Sequence, residues 1–293
     1  MGPYRRGSKV VDLRKRRVGA TMRATVPIFF PRERKSPLRA RRRKLRALAA
    51  ISFVVLAIGA LSGASALTYL PRYSITDISV TGAKTVSTEL IRAYVHTKLY
   101  DGETHFASMQ NIFLYPKDEI EKGIPEEIPR IRSAEIFREG MLARVVTVKL
   151  TEREPFALWC AESECYLMDE GGFIFAKATS TINLPLAFRG GVSSEKKVIG
   201  QKYLPEYLPQ ILELFSRLRE AGFAPTGATA VDEHDYSISL REGFIINAAF
   251  ENEPAELIRN LQVALTAEPV RGKSDKLEYI DMRFGNRVYY KFK

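Results

Sequence analysis

From Ala47 to Pro71 the chain runs 25 residues without a charge, ALAAISFVVLAIGALSGASALTYLP, and beyond it the apolar positions break into short alternating and helical patterns. A run of that length exceeds the roughly 20 apolar residues that cross a bilayer core. Ten Leu, Ile, Val and Phe residues between Leu48 and Leu70 contribute roughly −3 to −6 kcal/mol on the insertion scale. Gly59, Gly63 and four Ser/Thr reduce that margin without reversing it, so the run predicts a transmembrane helix over 47–71. The triplet Ala64-Ser65-Ala66 offers a competing reading as a signal-peptide cleavage site. Against it stand 46 residues of basic chain before the run and its continuation through Leu67, Tyr69 and Leu70. Gly59 and Gly63 also form a GxxxG pair, a spacing that admits a second membrane helix, though small residues are common in such helices anyway.

After Arg72 the periods shorten. ITDISVTG reads as a strand, and Ser87 stands as N-cap of a helix whose stripe is Leu90, Ile91, Tyr94, Val95 and Leu99. Pro116 opens a second helix, with Ile120 and Ile124 inward, that should end before Pro125. SAEIFRE and LARVVTVKLTE follow as strands, giving the order β-α-α-β-β over residues 72–150, a helix pair against a three-stranded sheet. Residues 151–293 read independently as a second mixed domain. Leu208, Ile211, Leu212, Phe215 and Leu218 mark a helix ending at Gly222, ATAVDEHDYSISL and GFIINAAF fit a hairpin across Arg241 to Gly243, and a helix with Leu257, Ile258, Leu261 and Leu265 precedes the closing strands LEYIDMRF and RVYYKF. The fold class is α+β.

Charge changes the picture at one end only. Residues 1–46 hold 17 Lys and Arg against Asp12 and Glu33, a net of +15, whereas the remaining 247 carry a net of −4. With Pro3, Pro27, Pro31 and Pro37 and few apolar residues, 1–46 is expected to be a disordered basic tail on anionic headgroups, with the run KLRALAA able to continue the membrane helix a turn or two into it. The cluster Arg39 to Arg46 precedes the run and only Arg72 follows closely, so the positive-inside rule keeps the N-terminus cytoplasmic and places 72–293 outside. Nucleic-acid binding by the tail is an alternative that no aromatic interleaving or DNA-binding fold accompanies.

Catalytic, cofactor and metal signatures are not found: the chain has no G-x-S-x-G, H-E-x-x-H, P-loop or G-x-G-x-x-G pattern. No cofactor or small-molecule substrate is expected. Asp232, Glu233 and Asp235 around His234 read as a solvated turn, and His96 and His105 lack a second ligand at metal spacing. Glu152, Arg153 and Glu154 are placed for an ion pair at the domain junction. Cys160 and Cys165 would face each other across a four-residue turn, and outside the cytoplasm that favours a disulfide, with two free thiols in a strand as the alternative.

The strand order and the motifs YSITDISVTGAKTVSTELI, NIFLYPKDEIEKGI, IPRIRSAEIFRE and VTVKLTEREPFALW resemble the POTRA domain and the start of the following β domain in the FtsQ/DivIB family of bacterial division proteins. YLMDEGGFIFA and LEYIDMRFGNRVYYK are similar to later motifs of that family, so the likeness covers most of residues 70–293. Two departures are REGMLA at Arg138 to Ala143, where the family has a Pro-Asn turn, and Asn247-Ala248 in place of a glycine. The resemblance implies a single-pass inner-membrane scaffold of the divisome, not an enzyme, whose 72–150 is POTRA-like and whose last region receives a strand from an FtsB/DivIC-like partner bound to an FtsL-like protein. From the pattern alone the closing segment is the expected open sheet edge, because the sequence ends there. Met282, Phe284, Val288 and Tyr290 are then the contact side chains, with Arg283 and Asn286 as polar contacts; packing within the sheet is the competing role for the aromatic residues. The alternative function is a POTRA-containing envelope assembly or secretion component without a division role. A third reading, a secreted enzyme released by cleavage after Ala66, requires a convergent polar pocket in 151–293.

Overall fold

Leu, Ala, Arg and Lys are strong helix formers, and once the apolar run has nucleated a helix each added residue costs little. In the computed structural model, which describes residues 37–100, 102, 105–179, 184–193, 195–285 and 287–293, α1 therefore covers Pro37–Thr68. Residues 37–46 are helical, so the helix continues through the KLRALAA run and on to Pro37, and it stops at Thr68 before Pro71, where Pro71–Tyr73 forms a 3-10 turn. Its apolar segment is unburied and long enough to cross a membrane. The described chain divides into two compact units between Ala60 and Leu61.

Unit 61–293 contains two sheets over separate apolar cores. The smaller has order β1-β3-β2, from β1 (Asp77–Thr81), β2 (Ile131–Phe137) and β3 (Val145–Glu152). β1 runs parallel to β3 and β2 antiparallel to it. Helices α2 (Thr88–Leu99) and α3 (Lys117–Glu127) bury Ile91, Val95, Leu99, Ile120 and Ile124 in this core. Ser87 holds the N-cap position of α2 with its hydroxyl donated to Glu89 Oε2 at 2.8 Å, not to the helix backbone. α3 continues through Pro125, contrary to the expected stop. Proline forfeits one N–H near the helix end, and the Ile128 N–H to Ile124 carbonyl bond of 2.9 Å still closes the last turn.

The larger sheet has nine strands in the order β12-β11-β10-β9-β8-β7-β4-β5-β6. They are β4 (Ala157–Cys160), β5 (Cys165–Met168), β6 (Ile174–Lys177), β7 (Ala187–Arg189), β8 (Pro225–Ala230), β9 (Asp235–Leu240), β10 (Ile245–Ala249), β11 (Leu277–Phe284) and β12 (Arg287–Phe292). The segment ATAVDEHDYSISL folds as two strands with a turn at Asp232 to His234, where Asp232 Oδ1 accepts the N–H groups of His234 and Asp235 at 2.8 Å each. Helices α4 (Leu208–Glu220) and α5 (Pro254–Thr266) pack on the sheet as crossovers to β8 and β11. On α4 the buried positions include Leu214, while Leu212 is only partly buried. Gly222, at φ +89°, ends that helix in the left-handed region open to glycine.

Register aligns a row of buried residues across five strands, Phe188, Ala228, Ile238, Ile246 and Ile280, and continues it on β12 with the exposed Tyr290. The adjacent row, Ser237, Asn247, Asp281 and Tyr289, lies on the opposite face, as strand alternation requires.

Candidate sheet-edge binding site

A strand edge carries unpaired N–H and C=O groups that either bond elsewhere or await a partner. The two sheets have four edges, and on three of them at least one outward backbone group is bonded from outside the sheet. On β1, Asp77 Oδ1 accepts the Ile78 N–H at 2.8 Å and Arg92 Nε donates to the Ile78 carbonyl at 3.1 Å. On β2, the Ile136 N–H donates to Glu121 Oε1 at 2.6 Å. Beside β6, Ile174 donates to the Gln201 carbonyl at 2.9 Å and accepts from Gly200 N–H at 2.8 Å. Among the described residues, the backbone of Arg287–Phe292 has no hydrogen-bond partner other than β11.

The expected contact residues divide. Tyr290 is 39% exposed at the end of the buried row, edge-on to Phe292 with ring centroids 5.4 Å apart. Val288 is half-buried against the core, and Phe284 is 56% exposed and edge-on to Tyr289. Met282 is corrected: at 2% exposure it is a core residue, since β11 is covered by its neighbours β10 and β12 and by the helix layer. Arg283 is engaged within the sheet, donating to Asp281 Oδ2 and to Asp235 Oδ2 at 2.6 Å each, so it ties β11 across β10 to β9. Burial pushes the Asp281 carboxyl up, but the hydrogen bonds from Arg283 outweigh it and hold the group below the ordinary aspartate range. Asn286 lies outside the described residues.

Three contributors were missed. Tyr289, exposed on the polar face, was legible as the alternate of Tyr290. Asn260 and Val263 of α5 carried no such signal, because only the tertiary fold lays that helix along β12. Together with Ala267, Pro269, Val288 and Tyr290 they line an open groove of about 260 Å³.

Other polar groups have partners or lie apart. Cys160 and Cys165 form a disulfide across paired positions of β4 and β5, with Cα atoms 4.0 Å apart and five strands between them and β12. Glu152 accepts N–H bonds from Lys84, Thr85 and Val86 at 2.7 to 3.0 Å; burial raises its pKa, yet those bonds prevail and hold it below the ordinary range. Arg153 pairs with Asp169 at 2.6 Å, and Lys84 with Glu154 at 3.1 Å, inside the cleft of about 840 Å³ between the sheets. His96 stacks on Tyr100, ring centroids 4.3 Å apart. Among the described residues no three His, Cys, Asp or Glu side chains are grouped to hold a metal. No protein-family model matches the chain, and no curated protein matches it.

Proposed function

We propose that this protein is a membrane-anchored scaffold that holds a partner chain by strand addition to β12, and that its place is among the FtsQ/DivIB-like division proteins. The observation that carries the reading is the contrast of edges: β1, β2 and β6 each have backbone groups bonded by a side chain or a neighbouring segment, at Ile78, Ile136 and Ile174, whereas among the described residues β12 has none beyond its pairing with β11. Main-chain pairing supplies affinity, and alternate side chains supply selectivity. A tenth strand extends both rows, so the partner residue beside Tyr290 is apolar and the one beside Tyr289 polar. The groove along α5 takes whatever apolar segment adjoins that strand. On this reading α1 crosses the cell membrane with its basic end cytoplasmic, 72–150 is a POTRA-like recruitment domain, and the partners are single-span FtsB/DivIC-like and FtsL-like proteins. The protein carries out no reaction itself.

A photo-crosslinking residue at Tyr290, compared with one at Phe137 on β2, tests this in intact cells. Capture of a small single-span coiled-coil protein from position 290 alone is the expected result. Capture of an unfolded outer-membrane client favours the envelope-assembly alternative, and capture from 137 with none from 290 removes β12 as the docking edge.

A further inference from the structure

A second surface surrounds the end of α1. The apolar run begins at Ala47, and at about 1.5 Å per residue it reaches the far side of a hydrocarbon core of about 30 Å near Ala66. There the helix is bonded to the 105–111 loop. Ser65 Oγ donates to the Phe106 carbonyl at 2.5 Å, Tyr69 Oη to the His105 carbonyl at 2.6 Å, and the buried Asn111 Nδ2 to the Thr68 carbonyl at 2.9 Å. The Ser108 N–H completes the clamp on Thr68 Oγ1 at 3.0 Å. These bonds satisfy end-of-helix groups and fix the loop at the depth where the helix leaves the lipid.

Large apolar side chains are exposed around this clamp: Leu70, Phe106 at 65%, Phe113, Leu114, Met141 and Leu142. The turn that carries Met141 and Leu142 is held beside the clamp, since Arg144 Nε donates to the Ser74 carbonyl at 3.1 Å and the Arg138 guanidinium lies 5.6 Å from the Phe113 ring centroid. Clustered aromatic and aliphatic groups at such a position suit the boundary between headgroups and acyl chains. Exposed Arg72 and Arg144 stand beside them, suited to lipid phosphates.

We propose that this face, built from the loop 105–115 and the turn 138–144, is a lipid-contacting platform that rests on the outer leaflet of the membrane crossed by α1. The platform orients residues 72–152 on the bilayer instead of leaving them on a free tether. It rests on the reading of α1 as a membrane span.

The test reads that span separately. Full-length protein is reconstituted in phosphatidylcholine vesicles without bromine, with acyl chains brominated near the headgroup, or with acyl chains brominated near the chain end to reach the mid-bilayer, and carries one added tryptophan at a time: Phe106→Trp, Phe113→Trp, Leu56→Trp in the span, or Val231→Trp, a 62% exposed site on the larger sheet's surface. Buried Trp159, the chain's only native tryptophan, sets the baseline. Blue-shifted emission and loss of intensity in brominated vesicles at 106, 113 and 56, with no change at 231, is the expected result. Quenching at 56 without quenching at 106 and 113 overturns the platform and leaves the span intact. No quenching at 56 overturns both, and equal quenching at 231 overturns the orientation.

Discussion

At one end of the nine-stranded sheet, Ile174 of β6 exchanges two backbone hydrogen bonds with the segment 200–201; at the other, β12 offers the same kind of groups to solvent beside two exposed tyrosines. The β6 end also carries the disulfide on the neighbouring strand pair and the Lys177–Glu164 contact at 2.5 Å. The difference teaches that an edge becomes a binding surface through what its neighbours fail to do. Strand composition does not separate them, because IFAK and RVYYKF are both apolar and basic.

The comparison breaks most directly at Tyr290. Replacing it with Lys ends the apolar row in a charge, and affinity for the captured partner is expected to fall about a hundredfold, equivalent to about 2.7 kcal/mol; an unchanged titration of the soluble 72–293 fragment against the partner would refute the assignment. Next in size, Cys160→Ser with Cys165→Ser opens a short loop and is expected to destabilise the fold by about 2 kcal/mol in urea titration, while partner affinity stays constant, since five strands separate the staple from β12.

Glu152→Ala removes the acceptor for three backbone N–H groups, with an expected loss of about 2 kcal/mol read by the shift in urea midpoint. The ion pair beneath the open edge is smaller. The folded value of Asp281 lies below its unfolded one, so its contribution is complete above the ordinary aspartate range and is lost as pH falls through and below it. Arg283→Gln is therefore expected to cost about 1 kcal/mol at neutral pH, the pair being partly solvent-screened, and to flatten the acid side of a stability-against-pH curve. A slope equal to the wild type's would mean that the pair contributes nothing. Smallest of all, Glu121→Ala frees one N–H on β2 and is expected to cost under about 1 kcal/mol.

Much of this was legible before folding. The charge-free run announced α1, alternation placed β3, β11 and β12, and the four-residue spacing put Cys160 opposite Cys165. The KLRALAA run pointed to a helix extending past the membrane segment, but the charge of 37–43 hid how far it goes, and the stop at Pro125 was read too literally. Met282 looked available because its segment ended the sequence.

A period of two tells which residues share a face, and a period of 3.6 which share a stripe, since both follow from the chain's own geometry. Which strand stands beside which, and which side chain reaches an edge, depends on bonds between residues far apart in the chain. So the sequence determined the helix, most of the strands and their faces by itself, while only the tertiary structure decided that Arg92, Glu121 and the 198–203 segment bond to backbone groups on three edges and that nothing described does so on β12.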